Sequence, residues 1–385
     1  MVKTTDNIDV SPRSASHQRK SNPWRNRLRI FGLAIFAFIL TSGTAFGTML
    51  YELQQSITQH DIAELVEQKE RPVQNQAPLD QKAGKPLNIL LLGADKEDGG
   101  IQRSDTTMIV HVSANRERVD VVSIPRDTLV NIPSCVTGNN GNSYPQEDAM
   151  FNSAFSTGGS NGGTVAQAAA CTLRTVEELT GIYIDGFAVL NFDSFRDVVD
   201  TIGGIDLCFN EAVDDQYSGI KLDAGCHHLD GTQALGIARA RYSIGDGTDI
   251  GRISRQHQVV TAIAKKTFSL NFFTDISTFY GIIKDVTSHM DLSNGLGDIQ
   301  WLGGFAYSLR NIDPDSINFA TMPHVYEGAR VRPSANASLV WKALLNDQPI
   351  PAEALATDSG PDIIRSVTPE QLEEFKNNLG SGLYK

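Results

Sequence analysis

The sequence lacks the short motifs by which several large enzyme classes are recognised. It contains no GxxxxGK[ST] phosphate-binding loop, no GxSxG nucleophile elbow and no HExxH zinc motif. Cysteine is scarce, with four residues in 385, and no pair has the CxxC spacing of zinc ribbons or thioredoxin-like sites. The usual signatures of P-loop nucleotide hydrolysis, serine-esterase chemistry and zinc-protease chemistry are therefore missing.

Positive charge is also in short supply. The chain has 33 Lys and Arg residues against 45 Asp and Glu residues, a formal net charge of −12. This balance argues against a general nucleic-acid binder, which carries a broad basic surface. Arginine is nevertheless concentrated in the stretch RARYSIGDGTDIGRISRQ, from Arg239 to Gln256. Such a concentration in an acidic chain indicates one local anion site.

One long run, Ile30 to Tyr51, contains no charged residue. About 20 apolar residues in a helix cross the ~30 Å core of a bilayer. Basic residues precede the run, and cytoplasmic flanks carry the excess of Lys and Arg. We therefore expect a single-pass membrane protein, with residues 1–29 as a cytoplasmic basic tail and everything after Tyr51 outside. The alternative is a cleaved signal peptide, but its apolar core is usually ~7–15 residues long.

All four cysteines follow that run. Outside the cytosol an even number of cysteines predicts disulfide bonds, and four cysteines allow three pairings. We favour Cys135–Cys171 with Cys208–Cys226, because neighbours in the sequence close the shorter loops.

The rest of the chain divides into three parts. Residues 52–86 read as an extracytoplasmic linker, because RPVQNQAPLDQKAGK is polar and contains proline. From residue 87 to about 345, strand and helix patterns alternate, which predicts one α/β domain with its sheet inside and its helices outside. Residues 346–385 read as a polar tail with a short helix over TPEQLEEF, which Thr368 can cap.

The periodicity also predicts individual elements. Strands are expected at LNILLLGAD, TTMIVHVS, VDVVSI, GFAVLNF, GIDLCF and residues 317–322. Helices are expected at residues 163–180, 193–203, 230–242, 250–268, 272–288 and 293–309, with Asp193 and Asp230 as N-caps.

The arginine-rich stretch has a helical setting. Arg252, Arg255 and Gln256 stand at i, i+3 and i+4, so they share one helix face. They lie in the first two turns, where the dipole and the free N–H groups favour anions. Asp249 can cap this helix or hold Arg252. The alternative is a solvated face with surface ion pairs, for which lysine would serve as well.

Arg239 and Arg241 end the preceding helix. Residues two apart point to different sides of a helix, so both reach one ligand only if the helix frays there. The glycines of Gly245–Gly247 permit that. Only arginine is used, and its planar fork suits bidentate binding of phosphate or carboxylate.

A second group of acids and arginines lies near the ends of the first three predicted strands. Its members are Asp95 at the end of the first strand, Arg103 and Asp105 in the loop before the second, Arg118 before the third, and Arg126 and Asp127 after it. In an α/β sheet, ligands bind beyond the carboxyl ends of the strands. Carboxylates beside arginines suggest a metal–phosphate site, and Mg²⁺ prefers such oxygen ligands.

Eight blocks of the sequence resemble the LytR-CpsA-Psr family in order and spacing, over roughly residues 87–322. They are ILLLGAD, RSDTTMIVHV, VVSIPRDTLV, FNSAF, TGIYIDGFAVLNFDSF, GGIDLCF, AGCHHLDGTQALGIARARYS and DIGRISRQ. The resemblance implies a central mixed sheet flanked by helices. It also implies a membrane-anchored enzyme that moves a glycopolymer from a polyprenyl-pyrophosphate carrier to peptidoglycan through a phosphodiester bond.

The resemblance further implies the roles of single residues. Asp95 and Asp105 match the ligands of Mg²⁺, for which Mn²⁺ is the alternative. The residues that match the pyrophosphate site are Arg103, Arg126, Arg239, Arg241, Arg252 and Gln256, supported by Asp249. Arg118 stands where some relatives have lysine, and Arg255 belongs to the same motif. Independently of the resemblance, Asp105 or Asp127 could accept the proton of the attacking hydroxyl. The cysteine positions also fit the favoured pairing.

Two other functions stay open at this point. One is a hydrolase of lipid pyrophosphates that uses the same site with water as the acceptor. The other is a non-catalytic binder of anionic wall polymer or lipid, which needs the arginines but not the metal-binding acids. No basic helix-turn-helix is visible, so we expect no nucleic-acid partner. Arabinogalactan, teichoic acid and capsule all remain candidate glycopolymers.

Overall fold

The computed structural model describes residues 23–56, 58–61, 65–66, 71–72, 84–97, 100–139, 141–240, 247–270, 278, 280–282, 284, 290–310, 312–355 and 364–365. The chain divides into two units, residues 1–52 and 53–385. Helix α1, Pro23–Ser56, covers the described part of the first unit, and its large apolar side chains, such as Phe31 and Leu33, are exposed. Within the ranges given above, no helix combines the length and the hydropathy that a membrane crossing requires.

The other helices and the strands follow in chain order. The helices are α2 (Ser153–Gly158), α3 (Val165–Thr180), α4 (Phe192–Thr201), α5 (Gly231–Arg239), α6 (Asp249–Ser269), α7 (Ile299–Ser308), α8 (Ala337–Leu345) and α9 (Ala352–Leu355). The strands are β1 (Thr58–His60), β2 (Leu87–Glu97), β3 (Gly100–Val112), β4 (Val119–Ser123), β5 (Leu129–Ile132), β6 (Val136–Thr137), β7 (Gly141–Asn142), β8 (Gln146–Met150), β9 (Gly186–Leu190), β10 (Ile205–Phe209), β11 (Val213–Asp215), β12 (Ile220–Leu222), β13 (Gly225–Leu229), β14 (Met290–Ser293), β15 (Ile317–Thr321), β16 (His324–Glu327), β17 (Arg330–Pro333) and β18 (Ile364–Arg365).

The second unit is built on a seven-stranded sheet in the order β1-β14-β9-β2-β3-β4-β15. The sheet is mixed: β2 pairs with β9 and β4 with β15 in parallel, whereas β3 is antiparallel to both β2 and β4. Strand β14 is antiparallel to β9 and parallel to β1. The predicted mixed sheet is confirmed.

Alternate residues of β2 face opposite layers, as a strand requires. Leu90 and Leu92 are fully buried in the core that contains Leu173 and Val176 of α3. Ile89 and Leu91 face the other side of the sheet, where α6 and α7 pack. Helices therefore cover both faces of the sheet, which confirms the predicted arrangement of sheet inside and helices outside.

Most predicted helices form, with differences at their ends. Asp230 caps α5 as predicted, and its side chain accepts a hydrogen bond from the backbone N–H of Gln233. Asp193 does not cap α4; Asn191 does, because its side chain reaches the N–H of Ser194. The predicted helix at residues 293–309 is shorter, since β14 precedes α7. TPEQLEEF and most of residues 272–288 lie outside the described part.

The predicted linker contributes to the domain. Its β1 extends the sheet beside β14. The guanidinium of Arg71 forms a buried ion pair with Glu177 on α3, with 2.7 Å between Nη2 and Oε1, and lies 3.9 Å from the centre of the Tyr183 ring. After residue 345 the chain also stays packed, since Ala354 is fully buried and β18 pairs with β10. Domain packing thus extends beyond residues 87–345 in both directions.

Both favoured disulfides form. Cys135–Cys171 joins the segment between β5 and β6 to α3, with 5.3 Å between the Cα atoms. Cys208–Cys226 joins directly opposite positions of β10 and β13. The part of the chain that the structure describes contains no free cysteine.

Helix α6 is joined to the end of β4 by a partly buried histidine. Ser123 Oγ lies 2.8 Å from His257 Nε2, and the His257 ring packs against Phe319 of β15 at 5.2 Å. Burial lowers the pKa of His257 to about 4. The ring therefore stays neutral at neutral pH and acts as a packing and hydrogen-bonding group beneath the helix.

We predict that His257 makes the fold sensitive to acid. The pKa falls from its ordinary value to about 4 on folding, so the unfolded chain takes up the proton first. The contribution of His257 to the free energy of unfolding is fully present above pH ~6.5 and is lost as the pH falls towards 4. At pH 5 the loss amounts to about 2 kcal/mol. Urea unfolding at pH 7 and pH 5 should show this loss reduced in His257→Gln. An equal loss in wild type and variant would contradict the prediction.

Candidate functional site

A cavity of about 750 Å³ opens beside the carboxyl end of β4. Its lining combines charged and polar side chains, namely Arg103, Asp105, Arg126, Asp127, Met150, Asn152, Ser156 and Arg330. Strand β3 supplies Arg103 and Asp105, which lie within the strand and not in a loop before it. The structure thus brings four of the predicted site residues, Arg103, Asp105, Arg126 and Asp127, to one cavity.

The guanidinium of Arg126 lies among three carboxylates. Its Nη1 is 3.0 Å from Asp105 Oδ1, and its Nε is 3.5 Å from Asp249 Oδ1 and 3.7 Å from Asp127 Oδ2. Partial burial alone would lower the pKa of Arg126, but these carboxylates, with Asp105 first, raise it above its ordinary value. The cation is therefore permanent, and its donors are fixed at the cavity wall.

Helix α6 delivers a second arginine to the same carboxylates. Arg252 Nη2 lies 2.5 Å from Asp249 Oδ1 and donates to the backbone oxygen of Asp105 at 3.0 Å. Thr248 caps α6 by accepting from the N–H of Gly251, so Asp249 is left to hold the arginines. Asp249 therefore joins Arg126, after β4, to Arg252 on α6.

The next two polar residues of α6 hold neighbouring elements in place. Arg255 Nη2 donates to the backbone oxygen of Ala240 at 2.7 Å. Gln256 Nε2 donates to Thr106 Oγ1 at 3.0 Å and to the backbone oxygen of Ala238 at 3.3 Å. These contacts set the position at which the chain enters residues 241–246. Arg241 belongs to that segment, which lies outside the described residues.

Two other predicted arginines are placed differently. The guanidinium of Arg239 lies over the ring of Phe192 at the start of α4, 4.2 Å from its centre. Arg118 lies at the opposite end of β4 from Arg126, and a five-residue strand is roughly 16 Å long. There Arg118 pairs with Asp120 at 2.7 Å and with Asp347 at 3.0 Å. The structure does not bring Arg118 to the cavity.

Sequence reasoning assigned no role to four of the lining residues. Asn152 is buried, its Nδ2 lies 3.5 Å from Asp105 Oδ1, and its backbone N–H donates to the oxygen of Arg126. It belongs to the FNSAF block, so a signal for it was present, whereas Ser156 directly follows that block and lies outside it. Met150 and Arg330 belong to no such block. Arg330 reaches the cavity from a hairpin 203 residues after Asp127.

The predicted metal site is compatible with these residues. The Asp105 carboxylate is 53% exposed and faces a cavity lined by arginines. The backbone pairing of Ala94 with Ser104 sets Asp95 and Asp105 on adjacent strands, although the Asp95 side chain is not described. Mg²⁺ is usually held by one or two carboxylates together with substrate phosphates and water. Across the described ranges, no three His, Cys, Asp or Glu side chains form a metal-binding group.

Comparisons with known proteins agree with this fold. The LytR_cpsA_psr family model matches residues 48–344. The polyisoprenyl-teichoic acid–peptidoglycan teichoic acid transferase TagU of Oceanobacillus iheyensis is 28% identical over 284 residues, 74% of this chain and 82% of that protein. The TagU of Enterococcus faecalis is 30% identical over 275 residues, 70% and 80% of the two chains.

Solved structures show the same fold. Bacillus subtilis TagV aligns with a TM-score of 0.54 at 26% identity and covers 70% of this chain and 100% of its own. The LytR-Csp2A-Psr enzyme from Actinomyces oris aligns with a TM-score of 0.52 at 20% identity over 75% of this chain and 95% of its own. The domain is therefore of the type found in cell-wall transferases. The chain belongs to the LytR-CpsA-Psr family.

We predict that Arg126 and Arg118 differ in their effect on anion binding. Arg126→Lys keeps the charge but loses the planar fork that spans three carboxylates, so the dissociation constant of inorganic pyrophosphate should rise about tenfold or more. Arg118→Lys changes a side chain at the other end of β4 and should leave the dissociation constant of pyrophosphate unchanged. Calorimetric titration of both variants measures this. Equal weakening by the two substitutions would contradict the placement of the site.

Proposed function

We propose that this protein moves a glycopolymer from a polyprenyl-pyrophosphate carrier to peptidoglycan and forms a phosphodiester bond. The observation that carries the proposal is the guanidinium of Arg126, held by Asp105, Asp127 and Asp249 at the wall of an open cavity. The names of the related TagU proteins support the same chemistry, since both are transferases from polyisoprenyl-linked teichoic acid to peptidoglycan. Teichoic acid is the substrate that the names of those relatives give. For this protein we assign only the broader substrate class, a glycopolymer.

The proposed reaction is a displacement at phosphorus. A hydroxyl of peptidoglycan attacks the phosphorus next to the glycopolymer, the bond from that phosphorus to the bridging oxygen breaks, and polyprenyl phosphate leaves. The hydroxyl proton passes to a carboxylate, and both Asp105 and Asp127 line the cavity. Asp105 is the more exposed of the two, 53% against 18%.

The arginines act by neutralising the negative charge that the pyrophosphate of the donor carries. Arg103 and Arg126 present guanidinium groups to the cavity, and Asp249 fixes both Arg126 and Arg252 before substrate arrives. Donors oriented in advance cost no reorganisation during the reaction, which is the main source of catalysis in phosphoryl transfer. Asp105 and Asp95 would hold Mg²⁺ or Mn²⁺, which supplies Lewis-acid stabilisation of charge on the phosphate oxygens.

An apolar region on the face of the sheet that α6 and α7 cover fits the lipid part of the donor. Trp301 and Phe305 of α7 stack on each other at 4.9 Å and pack with Ile89 and Leu91 of β2 without being fully buried. No residue of α7 is fully buried, although the helix is rich in apolar side chains. A prenyl chain that enters beneath α7 would gain apolar contact with both helix and sheet.

The test is a transfer assay with the full chain in detergent. The protein is incubated with a polyprenyl-pyrophosphate glycan, MgCl₂ and peptidoglycan fragments, and mass spectrometry follows the phosphodiester-linked product. Arg126→Lys and Asp105→Asn should reduce transfer at least tenfold, since each removes a group at the cavity wall, whereas Asp206→Asn, on β10, should leave it intact.

Three results would contradict the transferase. Free glycan phosphate released at the same rate without peptidoglycan would mean that water is the acceptor. Tight lipid binding with no product, together with full cellular function of Asp105→Asn, would indicate a binder. Unchanged transfer in Arg126→Lys would remove the role given to that arginine.

The proposal includes a membrane anchor at residues 30–51, with the N-terminus in the cytoplasm and the catalytic domain outside. The uncharged run and the basic residues before it support this arrangement. The full chain should stay with membranes after an alkaline carbonate wash, and protease added to intact spheroplasts should cleave the part after residue 51. Release by the wash, or protection from external protease, would contradict the anchor.

A further inference from the structure

The hairpin of β16 and β17 brings Arg330 to the cavity. It is attached to the segment after β4, where the backbone N–H of Val331 donates to the oxygen of Asp127 at 3.3 Å and Val331 pairs with Thr128. Val331 is buried, which fixes the inner face of the hairpin. The outer face is therefore held in a constant position relative to Asp127.

Two arginines share that outer face, because residues two apart on a strand point to the same side. Arg332 Nη1 lies 2.8 Å from Asp148 Oδ1, and its guanidinium also contacts Glu327. Arg330 Nη1 lies 3.2 Å from Asp127 Oδ1, and Arg330 lines the cavity whereas Arg332 does not. The two side chains differ in surroundings but not in chemistry or strand, so they form a matched pair.

Asp127 lies between two guanidinium groups. One of its oxygens is 3.7 Å from Arg126 Nε, and the other is 3.2 Å from Arg330 Nη1. Arg330 therefore adds a further guanidinium to the cavity lining and is linked to Arg126 through Asp127. Its side chain is 42% exposed, and an ion pair with that much solvent is held weakly, so another anion can compete for Arg330.

The cavity also has more room than the reacting phosphates need. Cavities of ~300–1,000 Å³ take whole drug-sized ligands, and this one measures about 750 Å³. Its lining carries three arginines and two aspartates, so a positive charge is in excess. Room beside the phosphates and the guanidinium of Arg330 suit a sugar unit that bears an anionic group.

We propose that Arg330 binds a carboxylate or phosphate carried by one of the two glycan substrates, next to the reacting pyrophosphate. The guanidinium fork accepts either group in two parallel hydrogen bonds. Asp127 is the local partner that Arg330 exchanges for the substrate anion. The inference rests on the proposed transferase function and assigns the specificity of the outer part of its site.

The experiment compares Arg330→Ala, Arg330→Lys and Arg332→Ala in the transfer assay with the full chain. Loss of a charge-assisted contact that is made equally before and during the reaction should raise the KM of one substrate about tenfold and leave kcat within about twofold. Arg330→Lys should recover part of the loss. Arg332→Ala should match wild type. Circular dichroism checks that all three variants are folded.

The affected substrate identifies the source of the anion. A higher KM for peptidoglycan fragments assigns it to the acceptor, and a higher KM for the lipid-linked glycan assigns it to the donor. The proposal is overturned if neither KM changes, if kcat falls with both KM values unchanged, or if Arg332→Ala has the same effect as Arg330→Ala.

A binding experiment separates this inference from the proposed function. Wild type and Arg330→Ala are titrated with polyprenyl-pyrophosphate glycan, with peptidoglycan fragments and with inorganic pyrophosphate. If wild type shows no transfer, the proposed function fails, and these titrations still test Arg330. Weaker binding of one glycan ligand with pyrophosphate unchanged supports the subsite; weaker binding of pyrophosphate, or no change at all, overturns it.

Discussion

The arrangement of the site depends on one guanidinium group, that of Arg126, and on the carboxylates around it. Asp105 comes from β3, Asp127 follows Arg126 in the chain, and Asp249 opens α6, so one cation joins three separate segments. Such a cluster costs desolvation energy and is a poor source of stability by itself. Its value lies in orientation, since the donors that face the cavity are held before any ligand arrives.

The sheet keeps this cluster apart from a second group of Arg–Asp ion pairs. At one end of β4, Arg118 is paired with Asp120 and Asp347, and at the other end Arg126 faces the cavity. All five residues of β4 are buried, and the three valines among them, Val119, Val121 and Val122, supply apolar side chains between the two ends. The strand therefore separates two ion-pair networks. The network around Arg118 ties the chain after α8 to the sheet, and the network around Arg126 is open to ligand.

Much of the fold could be predicted from local patterns. The N-cap at Asp230, the apolar strands and the alternation of strand and helix depend on neighbours in the sequence, so local patterns detect them. Patterns were less informative where two local solutions compete, as when Asn191 and not Asp193 caps α4. They also missed Arg71, because a polar segment reads as linker until the buried Glu177 that pairs with it is seen.

The sequence by itself determined the family, the α/β class and the residue types of the site, because these are written in ordered motifs and short spacings. Only the tertiary structure decided which charged residues meet. Arg118 and Arg126 are close in the chain but lie at opposite ends of a strand, whereas Arg330 and Asp127 are 203 residues apart and lie 3.2 Å from each other. Strand register and hairpin packing set these distances, and they depend on contacts between remote segments that no local pattern encodes.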